Sequence, residues 1–244
     1  MKQVFVDQTL TIGQTVDLDD KLAHHIFDVL RTSSQERLRV VDGQGHVFSG
    51  RVLEKPTVEI LEAVEETASP HVEITLCAAL IKADKFEWML QKATELGVSK
   101  IVPFTSENTV IAIDPKKMGR KMERWNAICE GACRQSNRTS LVTIEKPCTL
   151  KDLPSYLSKL NLCAWEKEGK DHLLASLLPA IEDSVTFVIG PEGGLSAKEA
   201  AWLEENGFSL CSLGSRILRA ETAACYVLAA TDYQLSLHQL EHYE

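Results

Sequence analysis

Positive charge is in short supply in this chain. Across 244 residues, 26 Lys and Arg stand against 35 Asp and Glu, a net charge of −9. That excludes a protein that holds a polyanion through bulk charge, so any such contact must rest on a local basic face. Long apolar runs are missing too. None approaches the roughly 18 residues of a membrane span, and Met1-Lys2-Gln3-Val4-Phe5-Val6-Asp7 lacks the extended apolar stretch of a secretory signal. A cytoplasmic location without membrane association is expected. The seven cysteines, Cys77, Cys129, Cys133, Cys148, Cys163, Cys211 and Cys225, form no C-x-x-C pair and no zinc spacing, so reduced and mostly buried thiols are expected. Cys129 and Cys133 stand four apart on one helical face but lack nearby histidines, and the seven histidines form no H-E-x-x-H arrangement. No metal is expected. Phosphate-cradling signatures are also absent, whether G-x-x-x-x-G-K-[ST] or G-x-G-x-x-G.

What is present concentrates in the last quarter of the chain. Two glycine-bearing turns, Ile189-Gly190-Pro191-Glu192-Gly193-Gly194 and Leu213-Gly214-Ser215-Arg216-Ile217-Leu218-Arg219-Ala220-Glu221-Thr222, each close an apolar run and open a helix. The first follows Val185-Thr186-Phe187-Val188-Ile189, which does not alternate and reads as a strand buried on both faces. Ser196 with Glu199 makes a capping box for the next helix, which Gly207 ends. The second turn follows Phe208 to Leu213 and opens a helix from about Glu221 through Leu237, apolar nearly all round and so in need of more than one partner. In an open α/β sheet, ligands lie just beyond the carboxyl ends of strands. With no lysine in Gly190 to Gly194, and with Glu192 there to repel a pyrophosphate, the pair of turns suits a neutral or cationic adenosine-type ligand. Taken alone, Gly190 to Gly194 also reads as an ordinary tight turn.

Upstream, Val72 to Ile81, a helix capped at Asp84 and ended at Gly97, and Lys100 to Phe104 make a βαβ unit, with Lys92 and Glu95 as a surface pair. Residues 115 to 138 carry seven basic side chains against Glu123 and Glu130, a net +5 in 24 residues. The pattern is an amphipathic helix with Met118, Met122, Trp125, Cys129 and Ala132 on one face and Lys117, Arg120, Lys121 and Arg124 on another. A solvated charged face is the ordinary meaning of such a pattern, and a phosphate contact is the functional one. The first 68 residues differ in kind: short strands at Val4-Phe5-Val6, Thr15 to Leu18, Arg37 to Val41, Val47 to Leu53 and Thr57 to Leu61, a hairpin turn at Asp42-Gly43-Gln44-Gly45, and one helix near Asp20 to Arg31. A small closed barrel would satisfy so many strand edges. Glu65 to Pro70 reads as a linker.

At the two C-terminal turns the chain resembles the ribosomal RNA small subunit methyltransferase E family, the 16S rRNA uridine-N3 methyltransferases of the SPOUT superfamily. The likeness also takes in Gln91-Lys92-Ala93-Thr94-Glu95-Leu96-Gly97-Val98, Gln135-Ser136-Asn137-Arg138 and the basic helix before it. The resemblance implies an α/β fold, with a SPOUT-type methyltransferase domain over 72–244 whose chain forms a deep trefoil knot, and a PUA-like RNA-binding β-barrel over 1–68. It implies a homodimer, S-adenosylmethionine as cofactor, and 16S rRNA or the small ribosomal subunit as partner. Donor contacts carried over fall on Ala164, Trp165, Glu166, Gly190, Glu192, Gly193, Leu213, Gly214, Ile217 and Leu218. Arg138, Arg219 and Glu221 take the catalytic places. Candidate RNA contacts are Arg31, Arg37, Arg39 and Arg51 on the barrel, Lys117, Arg120, Lys121, Arg124 and Arg134 on the basic helix, and Arg216. The chain departs from the family's pattern at Arg134, where an acidic residue is common, at Asn108, where an arginine is, and at Ala220, where a threonine is. Two other readings stay open at this point: a related methyltransferase acting on a ribose 2′-hydroxyl or another base, and a non-catalytic RNA-binding assembly factor.

Overall fold

The computed structural model describes residues 2–65, 72–111, 114–167 and 172–241. The expected linker lies outside these residues apart from Glu65. The chain divides into two compact units, Met1–Ala68 with Cys133–Leu141, and Ser69–Ala132 with Val142–Glu244.

The first unit is a five-stranded sheet around an apolar core. Its strands are β1 (Lys2–Phe5), β2 (Thr15–Asp17), β3 (Arg37–Val41), β4 (Val47–Val52) and β5 (Thr57–Ala63). Alternate residues Val4, Val16, Leu38, Val40, Val58 and Ile60 turn inward and bury almost completely, which is the period-2 pattern of a half-buried strand. The strand order is β1-β3-β4-β5-β2, with β1 parallel to β3 and the other pairs antiparallel. β1 and β2 are the two ends of the order, and a groove lined by Phe5 to Gln8 and Val16 to Asp19 separates them. The β3–β4 hairpin closes as the Asp-Gly turn requires. Asp42 Oδ1 accepts from the N–H of Gln44 and of His46, both at 2.9 Å, and Gly45 N–H donates to Asp42 O at 3.0 Å. The expected helix near Asp20 to Arg31 is shorter and wider than a plain α-helix. One α-turn, α1 (Asp20–Ala23), is capped by Asp19 Oδ1 accepting from Leu22 N–H at 2.8 Å, and it runs into π-helical turns at His24–Val29.

The second unit is a parallel sheet of β6 (Glu73–Ala79), β7 (Lys100–Thr105), β8 (Thr143–Ile144), β9 (Cys148–Thr149), β10 (Leu160–Ala164), β11 (Ser184–Ile189) and β12 (Ser209–Cys211). Its order is β12-β10-β11-β6-β7-β8, with β9 also on β7, and every ladder is parallel. β6 and β11 lie inside the sheet and are apolar on both faces, so their sequences do not alternate. The helices are α2 (Ala83–Glu95), α3 (Pro115–Gln135), α4 (Leu174–Leu177), α5 (Ala197–Glu205) and α6 (Ala220–Glu241). α6 packs on α2, β6 and β11 and buries Ala223, Ala224, Val227 and Leu228. α3 buries Trp125 and Cys129, and Phe86 of α2 meets Trp125 with ring centroids 4.8 Å apart. No helix among the described residues is long and apolar enough to cross a membrane.

Candidate functional site

The chain runs out along β6 and β7, returns to place β10 two positions from β6, inserts β11 between them and ends with β12 at the edge. The carboxyl ends of β10, β11 and β12 therefore stand side by side, and the segments leaving them enclose a cleft of about 270 Å³. A crevice at that end of a parallel sheet is where α/β folds hold ligands. Ala164, Trp165, Glu166, Gly190, Glu192, Gly193, Leu213, Gly214, Ile217 and Leu218 all line it, together with Arg216 and Ala220.

Backbone makes most of the walls, and neighbouring side chains hold that backbone in place. Asn108 Nδ2 donates to the carbonyls of Gly193 at 3.2 Å and Gly194 at 3.1 Å, so the residue that replaces a common arginine ties the first turn shut. Glu199, almost fully buried, completes the capping box with Ser196 and also accepts from Glu107 N–H at 2.8 Å, anchoring the Asn108 segment to the start of α5. Gly194 sits at φ +69°, a conformation that strains any side chain, and a Cβ there would lie 3.0 Å from Glu166 Oε1, which would have to shift. Trp165 N–H reaches Cys211 O at 3.0 Å, joining the ends of β10 and β12. The charged groups on the lining are Glu166, Glu192 and Arg216. A wall of glycine backbone bearing two carboxylates accepts a zwitterion with a positive centre and disfavours a polyphosphate. The residues present therefore fit S-adenosylmethionine, a sulfonium without phosphate.

Beside the cleft a cation unmarked in the sequence joins two acidic groups. Lys85 Nζ, from the first turn of α2, lies 3.9 Å from Glu192 Oε1 and 3.8 Å from Glu221 Oε1. Glu221 is 13% exposed, and its Oε2 is a buried polar atom without a hydrogen-bond partner among the described residues. Asp84-Lys85 carries no local signal; only the packing of α2 on α6 brings Lys85 to Glu221. Arg219, two residues earlier, is exposed. Arg138 lies instead in the segment grouped with the first unit, where its N–H donates to Cys133 O at 3.0 Å and its carbonyl accepts from Gln3 Nε2 at 2.7 Å.

The candidate RNA contacts are placed unevenly. Arg39 is 8% exposed and donates to Gln3 Oε1 at 2.7 Å and Asn137 O at 3.3 Å, which corrects the expectation of a phosphate contact: the guanidinium is spent inside the fold. Arg37 of β3 pairs with Glu62 at 2.9 Å and Arg51 of β4 with Glu59 at 2.5 Å, both glutamates on β5, while Arg31 is exposed. On α3, Arg124 makes a two-pronged pair with Glu87 of α2 at 2.5 and 2.6 Å, and Lys117 faces Asp114 at 3.7 Å. Lys121 lies 5.8 Å above the Trp125 ring, and Arg120 is exposed. Arg134 is half-buried near the end of α3. The surface pair read at Lys92 and Glu95 is present at 2.7 Å.

All seven cysteines are free thiols. Burial pushes Cys163 and Cys77 well above the ordinary thiol value, and burial with the nearby Asp152 carboxylate pushes Cys148 up to about 11. These thiols are packing groups, poor in the thiolate a nucleophile needs. Among the described residues no cluster of three or more His, Cys, Asp and Glu could hold a metal ion.

Comparison with known proteins follows the same division of the chain. The profile of the RNA methyltransferase domain matches residues 67–232, and that of the RNA methyltransferase PUA domain matches residues 18–61. Ribosomal RNA small subunit methyltransferase E of Bacillus subtilis (strain 168) is 29% identical over 97% of this chain and 98% of its own length. The protein of that name from Mesomycoplasma hyopneumoniae (strain 232) is 34% identical over 70% of this chain and 74% of its own. A crystal structure of ribosomal RNA small subunit methyltransferase E from Neisseria gonorrhoeae bound to S-adenosyl methionine superposes with a TM-score of 0.86 at 30% identity, covering 96% of this chain and 97% of that one. On these matches and the two-unit fold, the chain belongs to the RNA methyltransferase family whose members include ribosomal RNA small subunit methyltransferase E, with an N-terminal PUA-like domain.

Proposed function

We propose that the protein uses S-adenosylmethionine to methylate N3 of a specific uridine in 16S ribosomal RNA. The observation that carries this reading is the convergence of ten expected donor contacts, from three separate stretches of sequence, on one cleft at the carboxyl ends of adjacent strands. The names of its relatives support a small-subunit RNA substrate, and the donor-bound structure from Neisseria gonorrhoeae supports the cofactor.

When bound, S-adenosylmethionine supplies an electrophilic methyl group on a positive sulfur. The chain must then present the acceptor and manage a proton. Uridine N3 lies on the Watson-Crick edge and carries hydrogen, so the base has to be unpaired or flipped out, and the proton has to leave before or during attack. Arg219, exposed at the mouth of α6, offers a guanidinium for the negative charge that develops on the uracil carbonyl oxygens. Glu221 accepts the proton or orients the arginine; its unpartnered buried oxygen is available for that bond. Arg138 takes a second uracil carbonyl, a role assigned on the family likeness.

Two finer features belong to the same reading. The trefoil knot that the family likeness implies would be formed by the segments that leave β10, β11 and β12. A homodimer would cover Trp88 of α2 and Tyr226 and Tyr233 of α6, which stay 46%, 41% and 66% exposed on helices that pack together.

Nucleoside mass spectrometry of RNA from a deletion strain tests the reaction. Loss of 3-methyluridine from small-subunit RNA, restored by the gene, is the expected result. Loss of a 2′-O-methylated nucleoside or of another base methylation would replace this assignment, and an unchanged nucleoside profile would favour an assembly factor.

A further inference from the structure

Within the first unit, two consecutive carbonyls of the segment after α3 are held by side chains of its strands. Gln3 Nε2 of β1 donates to Arg138 O at 2.7 Å, and Arg39 Nη2 of β3 donates to Asn137 O at 3.3 Å. The two side chains are locked to each other, Arg39 Nε donating to Gln3 Oε1 at 2.7 Å, and both are more than nine-tenths buried. On the hairpin between β3 and β4, Gly45 adopts φ +84°, and a Cβ there would lie 3.1 Å from Thr139 O. Asn137 itself adopts φ +57°, a left-handed conformation that asparagine takes up more readily than most side chains. A buried cation and amide that spend their donors on backbone carbonyls fix the main chain at those points, and so fix the direction in which the intervening side chain leaves it.

We propose that Gln3 and Arg39 are positioning residues for methyl transfer: by holding the carbonyls of Asn137 and Arg138 they aim the Arg138 side chain at the substrate. The inference rests on the reading of Arg138 as a substrate arginine. It accounts for why Arg39 is buried where an RNA-binding surface would expose it.

The test is steady-state methylation of small-subunit RNA by Gln3→Met, Arg39→Met, Arg39→Lys, Arg138→Ala and the doubles that combine the first two with Arg138→Ala. Melting temperature and donor affinity are followed in each. Expected are losses of roughly 10- to 100-fold in kcat for Gln3→Met and Arg39→Met, the scale of a reacting group misplaced by about 1 Å. KM for RNA should stay unchanged, Arg39→Lys should recover part of the rate, and neither double should be slower than Arg138→Ala alone. Should Arg39→Met fail to fold, Gln3→Met with its double carries the same comparison. If Arg138→Ala is impaired while Gln3→Met and Arg39→Met turn over normally, raise only KM, or multiply their losses with that of Arg138→Ala, the positioning role is wrong. If Arg138→Ala is itself unimpaired, the substrate role of Arg138 falls first and the inference with it.

Discussion

The cleft at the strand ends and the PUA-like unit treat charge and backbone in opposite ways. In the cleft, main chain forms most of the walls and side chains such as Asn108 and Glu199 brace it from behind. In the first unit, arginines project from strands, yet Arg37, Arg39 and Arg51 are each tied to a glutamate or glutamine of the same unit. A backbone surface is sensitive to an added Cβ and indifferent to most side-chain exchanges. A side-chain network is sensitive to a lost donor. Residue type alone therefore says little about which arginines meet RNA; what their donors already hold decides it.

The sharpest way to separate the two regions is to alter Glu221, the proposed proton acceptor of the cleft unit. Glu221→Gln keeps the shape of the residue and removes its charge, and should lower kcat by about 100-fold or more, the usual range for loss of a general base. Donor affinity should stay within about twofold, because Glu221 is not on the cleft lining. Equal losses in kcat and donor affinity would place Glu221 in donor binding instead.

A smaller effect is expected in the first unit, at the hairpin. Burial pushes the Asp42 carboxyl up, but the N–H groups of His46 and Gln44 outweigh it and hold the carboxyl below its ordinary 3.8. A carboxyl lowered by folding adds stability above its ordinary value, and that contribution disappears as pH falls through the lower folded value. Asp42→Asn should thus lower stability by about 1–2 kcal/mol at neutral pH, with little difference from the parent protein once the solution is acid enough to protonate Asp42. Acid titration of both proteins by circular dichroism checks this, and a gap that widens with acidity would contradict the sign.

The contrast also explains what was legible in the sequence. The glycine turns could be read because apolar strand, turn and capped helix follow one another locally, and the Ser196–Glu199 box and the Asp42 hairpin formed as their residues required. Arg39 could not. It shares a face of β3 with Arg37, which is 61% exposed along its side chain, and contacts remote in sequence, Gln3 and Asn137 among them, distinguish the two. Lys85 escaped for the same reason, since its acidic neighbours lie more than 100 positions away. The π-helical turns at His24–Val29 and the two-residue strands β8 and β9 are too short or too irregular to leave a period.

The claim beneath all of this is that the cleft at the ends of β10, β11 and β12 holds S-adenosylmethionine. Calorimetric titration of that compound into the protein and into Gly194→Ala measures it directly. The account predicts one site per chain, weakened by about tenfold or more in the variant because alanine is strained at that φ and meets Glu166. A folded parent protein that takes up no S-adenosylmethionine, or a variant that binds it as well as the parent does, would contradict it.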